Sequence, residues 1–413
     1  LDSTVGPDQN ADPFGVEQFM AAPDIARSLC HRGYCEGITA DPYGDLLKLF
    51  ELLRAKPLGA RVVDPTGHAR PVALNALVVG ALLSQLDVDP NLRAELPRAV
   101  VGALKGDRAA LGRLVAGGSI GPPGDPRGAI NPTLNVVTQC EEGVPPFDRS
   151  AGPAARLNQA RAQLAQIPPA TFDPLGPALA FLASNVGTCA HWPMRPAQPS
   201  FGSGAPPDVP VLLIHGEFDL RSSLASTNTV AKEYRQGKIL IVQNEGHSPT
   251  RTPTGTCARA EAVAYIAHGT PPEPCARADD PFKPRALVPA SAKAAGGPVA
   301  AAQLTVRDAF DQLDAGSLLR VGAEPGVRGG GLRAGRFNGS KRGLGLHGYA
   351  FIQGFPVTGL VRAKGRILLK VPHGRLRFAD DGTYTGRLRG KKVSGTASLQ
   401  RLSRAEALVA GSG

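Results

Sequence analysis

An aspartate and a histidine, each just beyond an apolar run, are the residues of this chain best placed to do chemistry. The first run is Val211-Leu212-Leu213-Ile214-His215-Gly216, and Asp219 follows it in Glu217-Phe218-Asp219. The second is Lys238-Ile239-Leu240-Ile241-Val242, and His247 follows it in Asn244-Glu245-Gly246-His247-Ser248. Short continuous apolar runs of this kind are the pattern of buried parallel strands. In open parallel sheets, reacting groups sit beyond the carboxyl ends of the strands, and neighbouring strands lie about 4.8 Å apart. The two loops should therefore emerge side by side. A carboxylate there accepts the Nδ1–H of the imidazole, fixes its tautomer and stabilises the imidazolium formed when the ring takes up a proton. Gly216 and Gly246 let the loops turn tightly beside the pair. Alone, Asp219 suits a helix cap and His247 a surface loop; their joint placement at two strand ends favours an acid–base pair.

The elements around this pair follow an alternating order. Ser222 and Ser223 can cap a helix running to about Arg235, which Gly237 ends, and a further helix over 257–268 stops at Gly269-Thr270-Pro271-Pro272. Strand, helix, strand, helix implies a parallel sheet with right-handed crossovers. Upstream, residues 14–56 are predicted helical, with Leu46, Leu47, Phe50 and Leu53 forming an apolar stripe. Arg61-Val62-Val63 and Arg70-Pro71-Val72 flank a hairpin-like turn, Asp64-Pro65-Thr66-Gly67. Ala73 to Leu86 is apolar on nearly all sides and predicts a buried helix. Two short helices follow, near 91–104 and 107–116. Downstream, 276–299 is rich in Ala, Pro and Lys without periodicity and suggests a linker. A helix over 303–314 precedes short alternating runs, the best being Tyr349–Leu360 and Arg366–Phe378, so a small antiparallel sandwich or open barrel is expected there.

Composition divides the chain in the same place. The 413 residues carry a net charge of +11, yet residues 301–413 hold 19 Lys and Arg against 7 Asp and Glu, leaving the rest nearly neutral. A basic face of that kind attracts polyanions or simply keeps a small β domain soluble. Apolar residues make up 42% of the chain, enough for a core, while 50 Gly and 38 Pro predict many loops. No stretch approaches the roughly 20 apolar residues of a membrane span. Six cysteines, Cys30, Cys35, Cys140, Cys189, Cys257 and Cys275, lack zinc-finger spacing. An even count without metal spacing suggests disulfides and an oxidising compartment; buried free thiols are the other reading. Six cysteines allow 15 pairings, so sequence alone does not choose among them. No metal or cofactor site is expected.

Acid before histidine, each after a strand, is the tail of the α/β-hydrolase order Ser…Asp…His. The sequence 210–220, the Glu245-Gly246-His247 loop, and Cys257 with its helix, Gly269, Pro271-Pro272 and Cys275 resemble the C-terminal segment of the tripeptidyl-aminopeptidase-like proteins. These are secreted bacterial serine peptidases of the proline iminopeptidase clan. Val137-Thr138-Gln139-Cys140-Glu141-Glu142, Cys189-Ala190-His191-Trp192-Pro193 and Leu1-Asp2-Ser3 carry the same resemblance, which covers roughly residues 1–276. It implies an α/β fold: the C-terminal part of an α/β-hydrolase, its last parallel strands plus a helical lid, followed by the antiparallel β domain. The expected divisions are 1–9 (the strand after the nucleophile helix), 10–208 (lid), 209–276 (the strands with Asp219 and His247), 277–300 (linker) and 301–413 (basic β domain).

The same resemblance implies the disulfides Cys30–Cys35, Cys140–Cys189 and Cys257–Cys275. It also places the G-x-S-x-G nucleophile elbow before Leu1, so that the chain is expected to be a fragment, inactive and poorly soluble alone. One G-x-S-x-G match, Gly117-Gly118-Ser119-Ile120-Gly121, lies inside the lid region with no strand before it and Pro122-Pro123 after it, so Ser119 is expected to be a loop residue. An aminopeptidase must hold a free amine, usually with carboxylates. Glu141 and Glu142 are the candidates, with a solvated acidic turn as the plainer reading. Trp192 is a candidate pocket wall or a core residue, and His215 a packed strand-end residue.

The function expected is that of a secreted serine hydrolase, aminopeptidase-like, acting on peptides or on small esters or amides. The alternative is a non-catalytic binding protein derived from a hydrolase, with a basic C-terminal domain that holds an anionic cell-wall polymer or another polyanion. No nucleic-acid partner is expected.

Overall fold

The computed structural model describes residues 1–6, 12–117, 132–195, 206–252, 254–275, 280, 282–318, 328–340, 343–362 and 365–397. Ser119 lies outside them. The described residues form two compact units that interleave in sequence: Leu1–Pro57, Asn75–Pro97 and Ile120–Arg285 make one, and Leu58–Leu74, Arg98–Ser119 and Ala286–Gly413 the other. The segments Leu58–Leu74 and Arg98–Ser119, which chain order alone puts among the lid helices, thus group with the C-terminal strands.

The second unit begins with that hairpin, β1 (Leu58–Val63) and β2 (Ala69–Leu74), paired antiparallel. The helix Ala109–Gly117 packs on both strands. It approaches so closely that a Cβ on Gly112 would lie 2.7 Å from the methyl group of Ala60.

The first unit holds two parallel strands, β3 (Val211–Gly216) and β4 (Gly237–Val242), joined by the helix Leu224–Glu233. Ser223 caps that helix through the Ser226 amide. Two extended segments flank the pair. Asp2 bridges Ile214 in parallel on one side, and Cys275 bridges Val242 in parallel on the other. Leu212, Ile214, Leu240 and Val242 bury one face against Ala258 of the helix Thr256–His268. The disulfide Cys257–Cys275 ties the start of that helix to the segment beside β4. A second core gathers Phe14, Phe147, Phe172, Val186 and Ala190 around the Cys140–Cys189 disulfide. Cys30–Cys35 closes a short loop, and no cysteine is free. None of the described helices is long and apolar enough to cross a membrane.

The rest of the second unit is an eight-stranded antiparallel meander in which every strand pairs with its neighbour in sequence. Its strands are β5 (Arg328–Gly330), β6 (Ala334–Ser340), β7 (Gly343–Ala350), β8 (Val357–Val361), β9 (Ile367–Val371), β10 (Gly374–Phe378), β11 (Thr383–Leu388) and β12 (Lys391–Thr396). Period-two burial is clearest in β9, where Ile367, Leu369 and Val371 point inward and Leu368 and Lys370 outward. The helix Pro298–Leu318 contacts β5, β8 and β9.

Candidate active site

The loops after β3 and β4 are stacked backbone on backbone. A Cβ on Gly216 would sit 2.0 Å from the Gly246 carbonyl oxygen, and one on Gly246 would sit 1.7 Å from that of Asp87. Only glycine fits at either place, because any Cβ there falls well inside van der Waals contact. The stacking brings the acid of one loop to the base of the other. Both carboxylate oxygens of Asp219 lie 3.1 Å from Nδ1 of His247.

Asp219 is buried, at 2% exposure, and its charge is compensated by hydrogen bonds. Its Oδ1 accepts the amide N–H groups of Arg221 and Ser222, each at 3.0 Å. Burial opposes its ionisation. The bonds from His247 and the Ser222 amide outweigh that cost and hold the carboxyl below its ordinary value. The His247 imidazole responds in the opposite sense. Its bond to Asp219 raises its pKa against the opposing effect of burial, and the charge of Asp87 adds to the rise.

These two shifts make a pH prediction. A depressed carboxyl stabilises the fold above its unfolded pKa, ordinarily 3.8, and that contribution disappears as pH falls through the folded value. A raised imidazole stabilises below its unfolded pKa, ordinarily 6.5, and its contribution disappears as pH rises through the folded value. The pair therefore contributes most between pH 3.8 and 6.5. Urea midpoints measured across pH for the wild type and His247→Gln should differ most in that window and converge on either side. A gap that is constant with pH would contradict the pairing.

Three further side chains complete the cluster, and none of them was signalled by sequence motif. Asp87 follows the helix Ala76–Leu83, and its carbonyl oxygen accepts the His247 amide at 2.7 Å. Its carboxylate receives Arg221 Nε at 2.9 and 3.2 Å, while Arg221 also donates to the Ser84 carbonyl at 2.8 Å. Burial raises the Asp87 pKa, with the Arg221 charge opposing. Ser222, fully buried, places its hydroxyl 3.3 Å from Nδ1 of His247, 3.2 Å from Asp219 Oδ2 and 3.0 Å from the Ser3 carbonyl. It therefore stands on the Nδ1 side of the ring, whereas a nucleophile must meet Nε2. Among the described residues nothing hydrogen-bonds Nε2. Asp87, Asp219 and His247 place one potential ligand atom each within 4.8 Å of one another. The Asp87 carboxylate faces a guanidinium and Nδ1 faces Asp219, so a cation would have to displace both partners. The cluster is built as a hydrogen-bonded charge network.

A cavity of about 380 Å³ opens next to this network. Arg221 lines it, together with Asp12, Glu17, Gln139, Glu142 and Asn185. Asp12 is committed to the amides of Val16 and Glu17 at the start of a helix, and the Glu17 carboxylate accepts the Ser223 hydroxyl at 3.3 Å. Glu142 is exposed on the wall. Glu141 and Trp192 are off that wall and bond to each other, Trp192 Nε1 donating to Glu141 Oε1 at 2.8 Å, with Trp192 packed on the Cys140–Cys189 core. His215 is buried beside the Thr227 hydroxyl, 3.2 Å from its Nδ1, and burial lowers its pKa.

No curated protein matches the chain. Residues 176–278, which carry β3, β4, Asp219 and His247, match a family model described as TAP-like protein, so this stretch is similar to the TAP-like region of α/β-hydrolases.

Proposed function

We propose that Asp219 and His247 are the acid and base of a serine-hydrolase triad that cleaves peptides, or small esters and amides, with a free N-terminal amine. The observation that carries this reading is the Asp219 carboxylate 3.1 Å from Nδ1, which leaves Nε2 as the ring's working nitrogen. In such a site Nε2 takes the proton of the nucleophile's hydroxyl as its oxygen attacks the substrate carbonyl. The same proton then passes to the departing amine or alcohol. Asp219 stays ionised throughout and stabilises the imidazolium. Ser222 stands beside Nδ1, the wrong nitrogen for a nucleophile, and the attacking serine is the one that meets Nε2. Glu142 and Glu17, both on the wall of this cavity, supply negative charge where a substrate ammonium would dock. Three disulfides are consistent with action in an oxidising, extracellular compartment.

A fluorophosphonate probe tests the reading. Label on Ser3 or Ser222 would refute the assignment of Nε2 as the working nitrogen. The hydrolytically competent protein should take one label per chain. It should also hydrolyse aminoacyl or peptidyl nitroanilides, and N-acetylation of those substrates should abolish turnover. Failure of His247→Ala to remove labelling there would overturn the hydrolase reading itself.

A further inference from the structure

The meander of the second unit carries a row of cations that its fold does not need. Strand register places Lys370 of β9 opposite Arg375 of β10, Arg375 opposite Arg387 of β11, and Arg387 opposite Lys392 of β12. Directly opposed residues share one face of a sheet. The four side chains therefore stand in line across four consecutive strands, spanning about 14 Å at the usual interstrand spacing. All four are exposed. On β9 and β10 the residues one step along, Leu369 and Leu376, are fully buried on the opposite face, and on β11 and β12 Gly386 and Val393 are half-buried there.

Like charges set directly opposite each other destabilise a sheet, and here three such pairs occur in succession. Among the described residues no acid pairs with any of the four. The nearest acids in sequence are used elsewhere. Asp380 accepts the Gly365 amide at 2.9 and 3.1 Å, and Asp381 accepts the Thr383 amide and hydroxyl at 2.8 and 2.7 Å. The next row on the same face reads Leu368, Arg377, Thr385 and Ser394, adding a fifth cation and two hydroxyls. Neither row holds an aromatic ring, so the face lacks the stacking platform that single-stranded nucleic acid uses.

We propose that the outer face of β9–β12 binds a linear, flexible polyanion lying across the strands, its successive charges met by Lys370, Arg375, Arg387 and Lys392. Arginine supplies paired donors to carboxylate or phosphate oxygens and lysine a point charge. Both anion types share the required chemistry, a fixed negative charge on every repeat of a single strand. The inference is independent of the reading of Asp219 and His247.

The test uses the full chain, fluorescent polygalacturonate for a carboxylate polymer and poly(glycerol phosphate) for a phosphodiester polymer, with duplex DNA and neutral dextran alongside. Affinity is followed by anisotropy as salt is raised. Each cation neutralised on a flexible strand contributes about 0.7 to the slope of log affinity against log salt, so the four together contribute roughly 3. The variant K370Q/R375Q/R387Q/K392Q should lose that much slope. The variant K56Q/K105Q/K232Q/K238Q, which removes the same charge from four exposed scattered lysines, should keep the wild-type slope. Preference for one polymer over the other identifies the anion.

Equal losses in both variants, or no salt-dependent binding of either polymer, would overturn the proposal. So would row-dependent binding of duplex DNA tighter than that of both polymers. Removal of mutual repulsion should leave the melting temperature of the row variant at or above that of wild type in low salt. If that variant fails to fold, the two half-row variants K370Q/R375Q and R387Q/K392Q decide: each should lose about half of that slope, and a wild-type slope in both would overturn the proposal.

Discussion

Asp219→Asn should lower kcat/KM of the hydrolytically competent protein on the order of 10⁴-fold while leaving the fold intact. The amide preserves volume and can still meet Nδ1. It then favours the wrong tautomer and gives no charge to the imidazolium. The pH profile separates this cause from simple damage. Catalysis needs neutral His247, so activity rises with pH through the imidazole pKa, which Asp219 holds above its ordinary 6.5. In Asp219→Asn the rising limb should move to lower pH. Asp87→Asn should move it in the same direction but less far, because Asp87 acts on the ring only through its charge and keeps its backbone bond to the His247 amide. An NMR titration of His247 in residues 1–413 gives the same answer without turnover. An unchanged limb in Asp219→Asn would remove the carboxylate from its assigned role.

Asp219 and His247 were legible in the sequence because their positions follow from two local patterns: an apolar run ending in a loop, and the order of acid and histidine along the chain. Both patterns lie within 40 residues and survive without knowledge of tertiary contacts. Asp87 had no such signal. It reaches Arg221 across a separation of 134 residues, and what makes it matter is a backbone approach that leaves no room for a Cβ on Gly246. The neighbours Glu141 and Glu142 show the same limit at finer grain. They end one helix, yet the first bonds to Trp192 and the second faces the cavity. Helix phase at a fraying end is not fixed by composition.

The second unit divides similarly. Alternation around Arg375 and Arg377 betrayed a charged sheet face, since period two is a property of the strand alone. The row Lys370–Arg375–Arg387–Lys392 depends on register, which the turns set and which a shift by one residue would destroy. The grouping of the hairpin β1–β2 with this unit was beyond reach, because about 250 residues separate it from the nearest strand of the meander. Its turn chemistry gave the hairpin, while its partners came only from packing.

Asp308→Ala should cost the second unit about 3–5 kcal/mol, since it breaks a buried ion pair by removing one partner. Asp308 sits in the helix Pro298–Leu318 at 2% exposure. Its two oxygens receive Arg113 in a fork at 2.7 and 2.9 Å, and Tyr349 donates its hydroxyl to the same carboxylate at 2.7 Å. Arg98, with a side chain only 5% exposed, lies 3.6 Å away. Alanine would leave two largely desolvated guanidinium groups beside each other without this acid between them. Asp308→Asn keeps an acceptor for Tyr349 and should cost less. The double variant Asp308→Leu with Arg113→Met removes the forked pair and should recover part of the loss, the remainder being set by Arg98 and Tyr349, which keep their polar groups without Asp308. Urea unfolding of the three variants decides between the alternatives. If the double variant is no more stable than Asp308→Ala, the packing of the helix rather than the ion pair sets the cost.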